Sequence, residues 1–172
     1  MSTHAASTEA SWETGDNGVA VLTHDRLDVQ AIAASVADDT AGATAVFIGT
    51  TRNSFRGKAV TRLDYQAYSS LAVKTMANIL RDACNKFTRS DHRTDKQQVS
   101  AVIKCTVHHR LGTVRVGEPS IVIAVSSPHR KESFLACEYI LEEVKARAQI
   151  WKREFYEGEK EEDAEWKSNN GP

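Results

Sequence analysis

Residues 120–156 read SIVIAVSSPHRKESFLACEYILEEVKARAQIWKREFY, and changes of pattern within this stretch decide the fold. Ser120 to Ser126 is a continuous apolar run with the length of a buried strand. Ser127 and Pro128 then supply an N-cap residue and a proline at the first helical position. Phe134, Cys137, Ile140 or Leu141, Val144 and Ala148 recur at the spacing of one helix face, which marks the core side of a helix. Ile150 to Tyr156 reverts to strand-like composition.

The same alternation of periods extends outward. Val19 to Leu22 reads as a short strand, followed by a helix carrying Leu27, Ile32, Ala33 and Val36, with Asp28 as its cap or first-turn acid. Ala43 to Gly49 (ATAVFIG) is a second buried strand, and it runs into the polar loop TTRNSFRGK before Val60 to Tyr68 returns. Val73, Met76, Leu80, Cys84 and Phe87 lie on one face of a helix of about five turns that begins near Ser70. Arg89 to Gln98 is a charged connection. Val99 to Val107 alternates as one half-buried strand, and HRLGTVRVGEP reads as a loop. Mixed strands and helices joined by several long connections predict an α+β single domain, with a mixed or antiparallel sheet and packed helices. Residues 1–18 are expected to be a disordered tail, 19–156 the folded domain and 157–172 an acidic C-terminal segment broken by Trp166-Lys167.

Composition limits the function classes. The chain has 172 residues, with 22 Lys+Arg against 23 Asp+Glu and 41% hydrophobic residues. That near-neutral balance argues against a general nucleic-acid binder, whose phosphate contacts require a basic excess. No apolar run reaches membrane-spanning length, and the N-terminus has no secretory pattern, so the expected location is the cytosol. Cys84, Cys105 and Cys137 are widely spaced and fall on apolar phases, which suits core packing more than thiolate chemistry. If this protein moves sulfur, another molecule must carry it. Neither a GxGxxG nor a GxxxxGK[ST] loop is present, and adjacent His108 and His109 face opposite sides of a strand, so no metal site is expected.

Three cationic segments remain. SSPHRK places His129, Arg130 and Lys131 at a helix start, where the macrodipole disfavours cations and unpaired N–H groups point outward. An anionic ligand relieves both, which makes His129 and Arg130 candidate phosphate or carboxylate ligands; Glu132 or a distant carboxylate would serve equally. VKARAQIWKRE carries Lys145 at the edge of an apolar stripe, with Lys152 and Glu154 on one strand face and Arg153 on the other. A lysine of lowered pKa can act as acid, base or nucleophile, although a salt-bridged surface lysine fits the same spacing. GTTRNSFRGK offers Arg52, Arg56 and Lys58 directly after a buried strand, either for an anion or as solvated loop charge.

Together, VFIGTTRN, VHHRLGTVRVGE, IVIAVSSPHR, VKARAQIWKREFY and the late WK closely resemble the MoaE family, the large catalytic subunits of molybdopterin synthase. The resemblance runs from about Val19 to Trp166. It implies an α+β fold of the α/β-hammerhead type and a sulfurtransferase of molybdenum cofactor biosynthesis. Sulfur would pass from the C-terminal thiocarboxylate of a small ubiquitin-like subunit to cyclic pyranopterin monophosphate, forming the dithiolene. The resemblance further implies a heterotetramer around a homodimer core, and no resident cofactor. By position it makes Lys145 and Lys152 catalytic, and Arg52, His129, Arg130, Lys145, Lys152, Arg153 and Glu154 substrate-binding. Gln149 departs from the pattern, since relatives often have proline there. The competing expectation is a non-catalytic scaffold that binds an anion or a partner's tail.

Overall fold

The computed structural model describes residues 6–15, 17–90 and 98–169. In chain order these form β1 (Ala10–Thr14), β2 (Gly18–Thr23), α1 (Val29–Ser35), β3 (Ala43–Thr50), β4 (Ser54–Phe55), β5 (Lys58–Ala67) and α2 (Ser69–Lys86). There follow β6 (Thr88–Ser90), β7 (Gln98–Ser100), β8 (Lys104–Arg110), β9 (Gly112–Arg115), β10 (Pro119–Ser127), α3 (Arg130–Arg147), β11 (Ile150–Tyr156) and β12 (Trp166–Ser168). This is the expected α+β architecture.

Strand β10 explains the layering. Alternate residues of a strand point to opposite faces, so Ile121, Ile123 and Val125 join the large core with α2 and α3, while Val122 and Ala124 meet Leu27, Ile32 and Val36 around α1. Because both faces are covered, the run is apolar throughout. The main sheet has the order β1-β2-β8-β10-β3, antiparallel except for the β2–β8 pair. A second sheet runs β12-β11-β5-β4, with β9 also paired to β5. Asp28 caps α1 as expected, accepting from the Ala31 amide at 3.0 Å. Among the described residues no helix is long and apolar enough to cross a membrane.

Several expectations need correction. The fold begins before residue 18: residues 10–14 form β1, an edge strand whose mostly exposed side chains leave no apolar signal in the sequence. Residues 1–5 lie outside the described part. The predicted strand Val99 to Val107 is broken, because the Ser100 hydroxyl accepts from the Val102 amide at 3.1 Å and turns the chain. Residues 98–100 pair with β6 instead, so strands enter the expected connection Arg89 to Gln98 from both ends; residues 91–97 lie outside the described residues. The expected loop HRLGTVRVGEP is largely the end of β8 and all of β9, divided at Gly112, whose φ is +75°.

Helix α3 starts later than expected. Ser127 still pairs with Ala43 in β10, proline favours extended backbone in the residue before it, and His129 is the cap residue, with no side-chain cap bond. The buried face runs Ser133, Ala136, Cys137, Ile140 and Val144, and Phe134 is 65% exposed. Small Ser133 and Ala136 fill buried positions of this face, which the phenyl ring of Phe134 does not share. At the C-terminal end, residues 166–168 pair with β11, so the acidic segment returns to the fold.

Candidate functional site

The end of β3 and the start of β10 lead into a pocket of about 430 Å³. Its walls come from Phe47 to Arg52 on β3 and the following loop, Leu63 and Tyr65 on β5, His109 on β8, Lys145 on α3, Lys152 and Glu154 on β11, and Asn169 beyond β12. A glycine is required at position 49, where a Cβ would stand 2.6 Å from Cγ2 of Ile121. The neighbouring hairpin turns at Arg56-Gly57, both with positive φ (49° and 79°), the geometry of a tight two-residue turn.

Charge is the pocket's main property. Arg52, Lys145 and Lys152 face a single carboxylate, Glu154, among the described lining residues. Lys152 Nζ lies 3.3 Å from Glu154, and only 20% of its side chain is exposed. Lys145 makes no ion pair or hydrogen bond among the described residues, and Arg52 only overhangs the Phe55 ring at 5.7 Å. Burial raises the Glu154 carboxyl, but the Tyr156 hydroxyl that donates to it and the adjacent Lys152 outweigh burial and hold it below the ordinary value. The Tyr156 phenol is itself pushed up to about 12, by burial and then by its bond to Glu154. Thr51 is 3% exposed, and its hydroxyl has no partner among the described residues, which leaves a polar atom available to a ligand.

The floor is built around His109. The imidazole is fully buried; its Nδ1–H donates to the Arg110 carbonyl at 2.8 Å, which leaves Nε2 to accept from the Asn169 amide at 3.2 Å. Burial lowers its pKa to about 4, so the ring is neutral near pH 7. Tyr65 meets it edge-on with centroids 4.9 Å apart.

Of the sequence-derived candidates, Arg52, Lys145, Lys152 and Glu154 share this pocket. Arg153 does not: strand alternation sends it to the opposite face, 3.4 Å from Asp64 and between the rings of Phe155 and Trp166. His129 and Arg130 are not in the pocket either. Fifteen residues of α3 separate Arg130 from Lys145, about 22 Å at 1.5 Å per residue. The register of β10 with β3 agrees, because Ser127 pairs with Ala43 at the end away from Thr50. Gln149, at the position of the family's proline, accepts from Thr75 at 3.0 Å and donates to the Arg147 carbonyl at 3.1 Å, so an amide fixes the junction that leads to Lys152.

Sequence reasoning missed His109, Thr51, Tyr65 and Asn169. The alternation that sets His108 and His109 on opposite faces already required one of them to point inward, and that was the available signal. The cysteines lie elsewhere. Cys105 and Cys137 are buried, and Cys84 Sγ sits 4.0 Å from Cys105 Sγ, so packing describes them.

Comparison with known proteins places the sequence and the fold in one family. The sequence profile described as "MoaE protein" matches residues 22–147. The molybdopterin synthase catalytic subunit of Pyricularia oryzae is 46% identical over 147 residues, covering 85% of this chain and 74% of that protein. Catalytic subunit 2 of Aedes aegypti is 43% identical, covering 86% and 87%. The Drosophila melanogaster protein is 41% identical over 86% of this chain, but the chain spans only 36% of the fly protein's length. Among solved structures, molybdopterin synthase from Staphylococcus aureus superposes with a TM-score of 0.72 at 27% identity, covering 85% of this chain and 94% of that one. A Helicobacter pylori complex of subunits 1 and 2 of molybdopterin-converting factor has the same fold, with a TM-score of 0.62 at 20% identity. A profile match across most of the chain, joined to the shared fold, shows that the chain belongs to the MoaE family.

Proposed function

We propose that this chain is the catalytic subunit of a molybdopterin synthase, a cytosolic sulfurtransferase. It transfers sulfur from the thiocarboxylated C-terminus of a small ubiquitin-like subunit to cyclic pyranopterin monophosphate to build the dithiolene. The observation that carries this reading is a pocket whose described lining residues hold three cations against one carboxylate, two of the cations without an acidic partner among the described residues. Such a site is electrostatically unfinished until an anion enters, and both the phosphate-bearing pterin and the thiocarboxylate are anions. The names of the relatives, molybdopterin synthase catalytic subunits, support the same chemistry. The sulfur arrives on the partner, so the reading requires neither a reactive cysteine nor a resident cofactor.

In this mechanism Arg52 and the Thr51 hydroxyl hold substrate oxygen atoms. Lys145 supplies positive charge as the thiocarboxylate sulfur bonds to the pterin side chain and gives a proton to the oxygen displaced there; water then cleaves the acyl–sulfur bond and the tail leaves as a carboxylate. Lys152, fixed by Glu154, orients the donor tail. His129 and Arg130 act from a second copy, because within one chain they stand a helix length from Lys145. The functional unit is then a homodimer core carrying two small subunits.

A single-turnover mixture of the chain, thiocarboxylated small subunit and cyclic pyranopterin monophosphate tests the reading. Wild type forms dithiolene product, and folded Lys145→Ala forms it at least about a hundredfold more slowly, the scale expected for a lost general acid or base. Mixed dimers pairing a Lys145→Ala copy with a His129→Ala, Arg130→Ala copy recover one working site, whereas neither parent homodimer does. No product from wild type, despite partner binding, refutes catalysis and leaves the scaffold.

A further inference from the structure

The late Trp166-Lys167 pair has no role in the mechanism above, although Asn169, just beyond its strand, lines the pocket. We propose that β12 is a wall of this site and that Lys167 is a further cation contacting the bound anion. The argument starts from strand pairing. Lys167 stands directly opposite Lys152 in the antiparallel β11–β12 pair. Opposite residues of such a pair leave the same sheet face, with Cβ atoms about 4.5–5.5 Å apart, and like charges there destabilise the sheet. The shared face is the pocket's, since Lys152 and Glu154 line it, whereas Arg153 points away.

Among the described residues lining this face, Glu154 is the one carboxylate set against the two lysines. The Glu154 carboxylate is already engaged by Lys152 at 3.3 Å and by the Tyr156 hydroxyl. Among the described residues, Lys167 makes no hydrogen bond or ion pair; its charge reaches Glu154 only through space. The strand carrying it is nevertheless anchored on both sides. The Asn169 amide nitrogens donate to the Ile150 carbonyl at 3.1 Å and to His109 at 3.2 Å, and the Trp166 ring lies 4.8 Å from the Arg153 guanidinium. A short edge strand, held by a bond to a buried pocket histidine, thus presents a lysine beside another lysine. An anion lying between the two ammonium groups turns their repulsion into binding. The chemistry fits a phosphate or a terminal (thio)carboxylate, and only the choice between them rests on the sulfur-transfer reading.

Calorimetric titration of the full chain with inorganic pyrophosphate tests the site without any sulfur donor. Lys167→Ala should raise Kd about five- to tenfold. Lys167→Arg, which keeps the charge, and Lys160→Ala, in the same segment but paired at 3.6 Å with Glu162, should stay within about twofold of wild type. An unchanged Kd in Lys167→Ala, or a wild type that does not bind the probe, overturns the proposal. In the turnover assay, a raised KM for the small subunit assigns Lys167 to the tail carboxylate, and a raised KM for the pterin assigns it to the phosphate. Either supports the anion contact, and unchanged KM for both counts against it. If wild type binds pyrophosphate through Lys167 but makes no product, the sulfur-transfer reading fails and this inference stands.

Discussion

Lowering the pH from 7 to 5 should cost this protein about 2 kcal/mol of stability through His109 alone. In the native state burial lowers the imidazole pKa to about 4, against 6.5 for the free side chain. Between those values the unfolded chain binds a proton that the native chain refuses, so stability falls as pH falls through the window. Integrating the two titrations gives a loss of about 2 kcal/mol by pH 5 and about 3 kcal/mol by pH 4. The structural reason is specific: Nε2 accepts from Asn169, and a protonated ring would place a donor against that amide. Burial lowers His108 in the same direction, and it adds to the total. The lowered carboxylates Glu118 and Glu154 stay charged over this interval and contribute little. Urea denaturation at pH 7 and pH 5, for wild type and His109→Gln, isolates the effect. Glutamine accepts from Asn169 without titrating, so the variant should lose about 2 kcal/mol less than wild type between the two pH values, whatever its starting stability. Equal losses in both proteins would refute the reasoning.

Two further predictions concern the pocket and its supports. Glu154→Gln removes the carboxylate found among the described lining residues, so pyrophosphate should bind about threefold more tightly by calorimetry, and the Tyr156 phenol should fall from about 12 toward 10.0 in an ultraviolet absorbance titration. Gly42→Ala puts a Cβ 2.3 Å from the Pro128 carbonyl oxygen, which must move the start of α3; thermal denaturation should show a loss of about 1–3 kcal/mol.

The elements with strong apolar periods were legible in the sequence, and those held by their neighbours were not. The run SIVIAVS reads as a strand because both its faces are buried, and α2 shows its core stripe because one face meets the sheet. Strand β1 has little to bury, and its place comes from backbone pairing with β2, which composition does not encode. The parallel β2–β8 pair joins residues far apart in sequence that no local pattern connects. The site divides the same way. Arg52, Lys145, Lys152 and Glu154 sit in segments whose charge beside apolar runs drew attention, whereas the His109–Asn169 bond spans 60 residues and becomes visible only in the fold. Arg153, expected to bind substrate only through the family resemblance, stands beside Asp64 on the strand face opposite Lys152 and Glu154, as the alternation had implied.

Helix α3 ties these observations together, because Lys145 near one end and Arg130 at the other have no acidic partner among the described residues, under opposite physical conditions. Lys145 and Arg147 lie in its last turn, where the macrodipole favours positive charge by about 0.3–1 kcal/mol each. Lys145 can therefore stand in the pocket without an acid beside it. Arg130 and Lys131 lie in the first turn, where the same dipole opposes them, His129 makes no side-chain cap bond, and Glu132 is the sole acidic residue of that turn. The C-terminal end is thus a cation site made stable by the helix itself, and the N-terminal end is one that gains stability only when something anionic arrives. In the proposed homodimer the two ends, from different copies, converge on one substrate. The anion that Lys145 and Arg52 attract then also relieves the strained start of the partner's α3, so substrate binding and the pairing of copies strengthen each other.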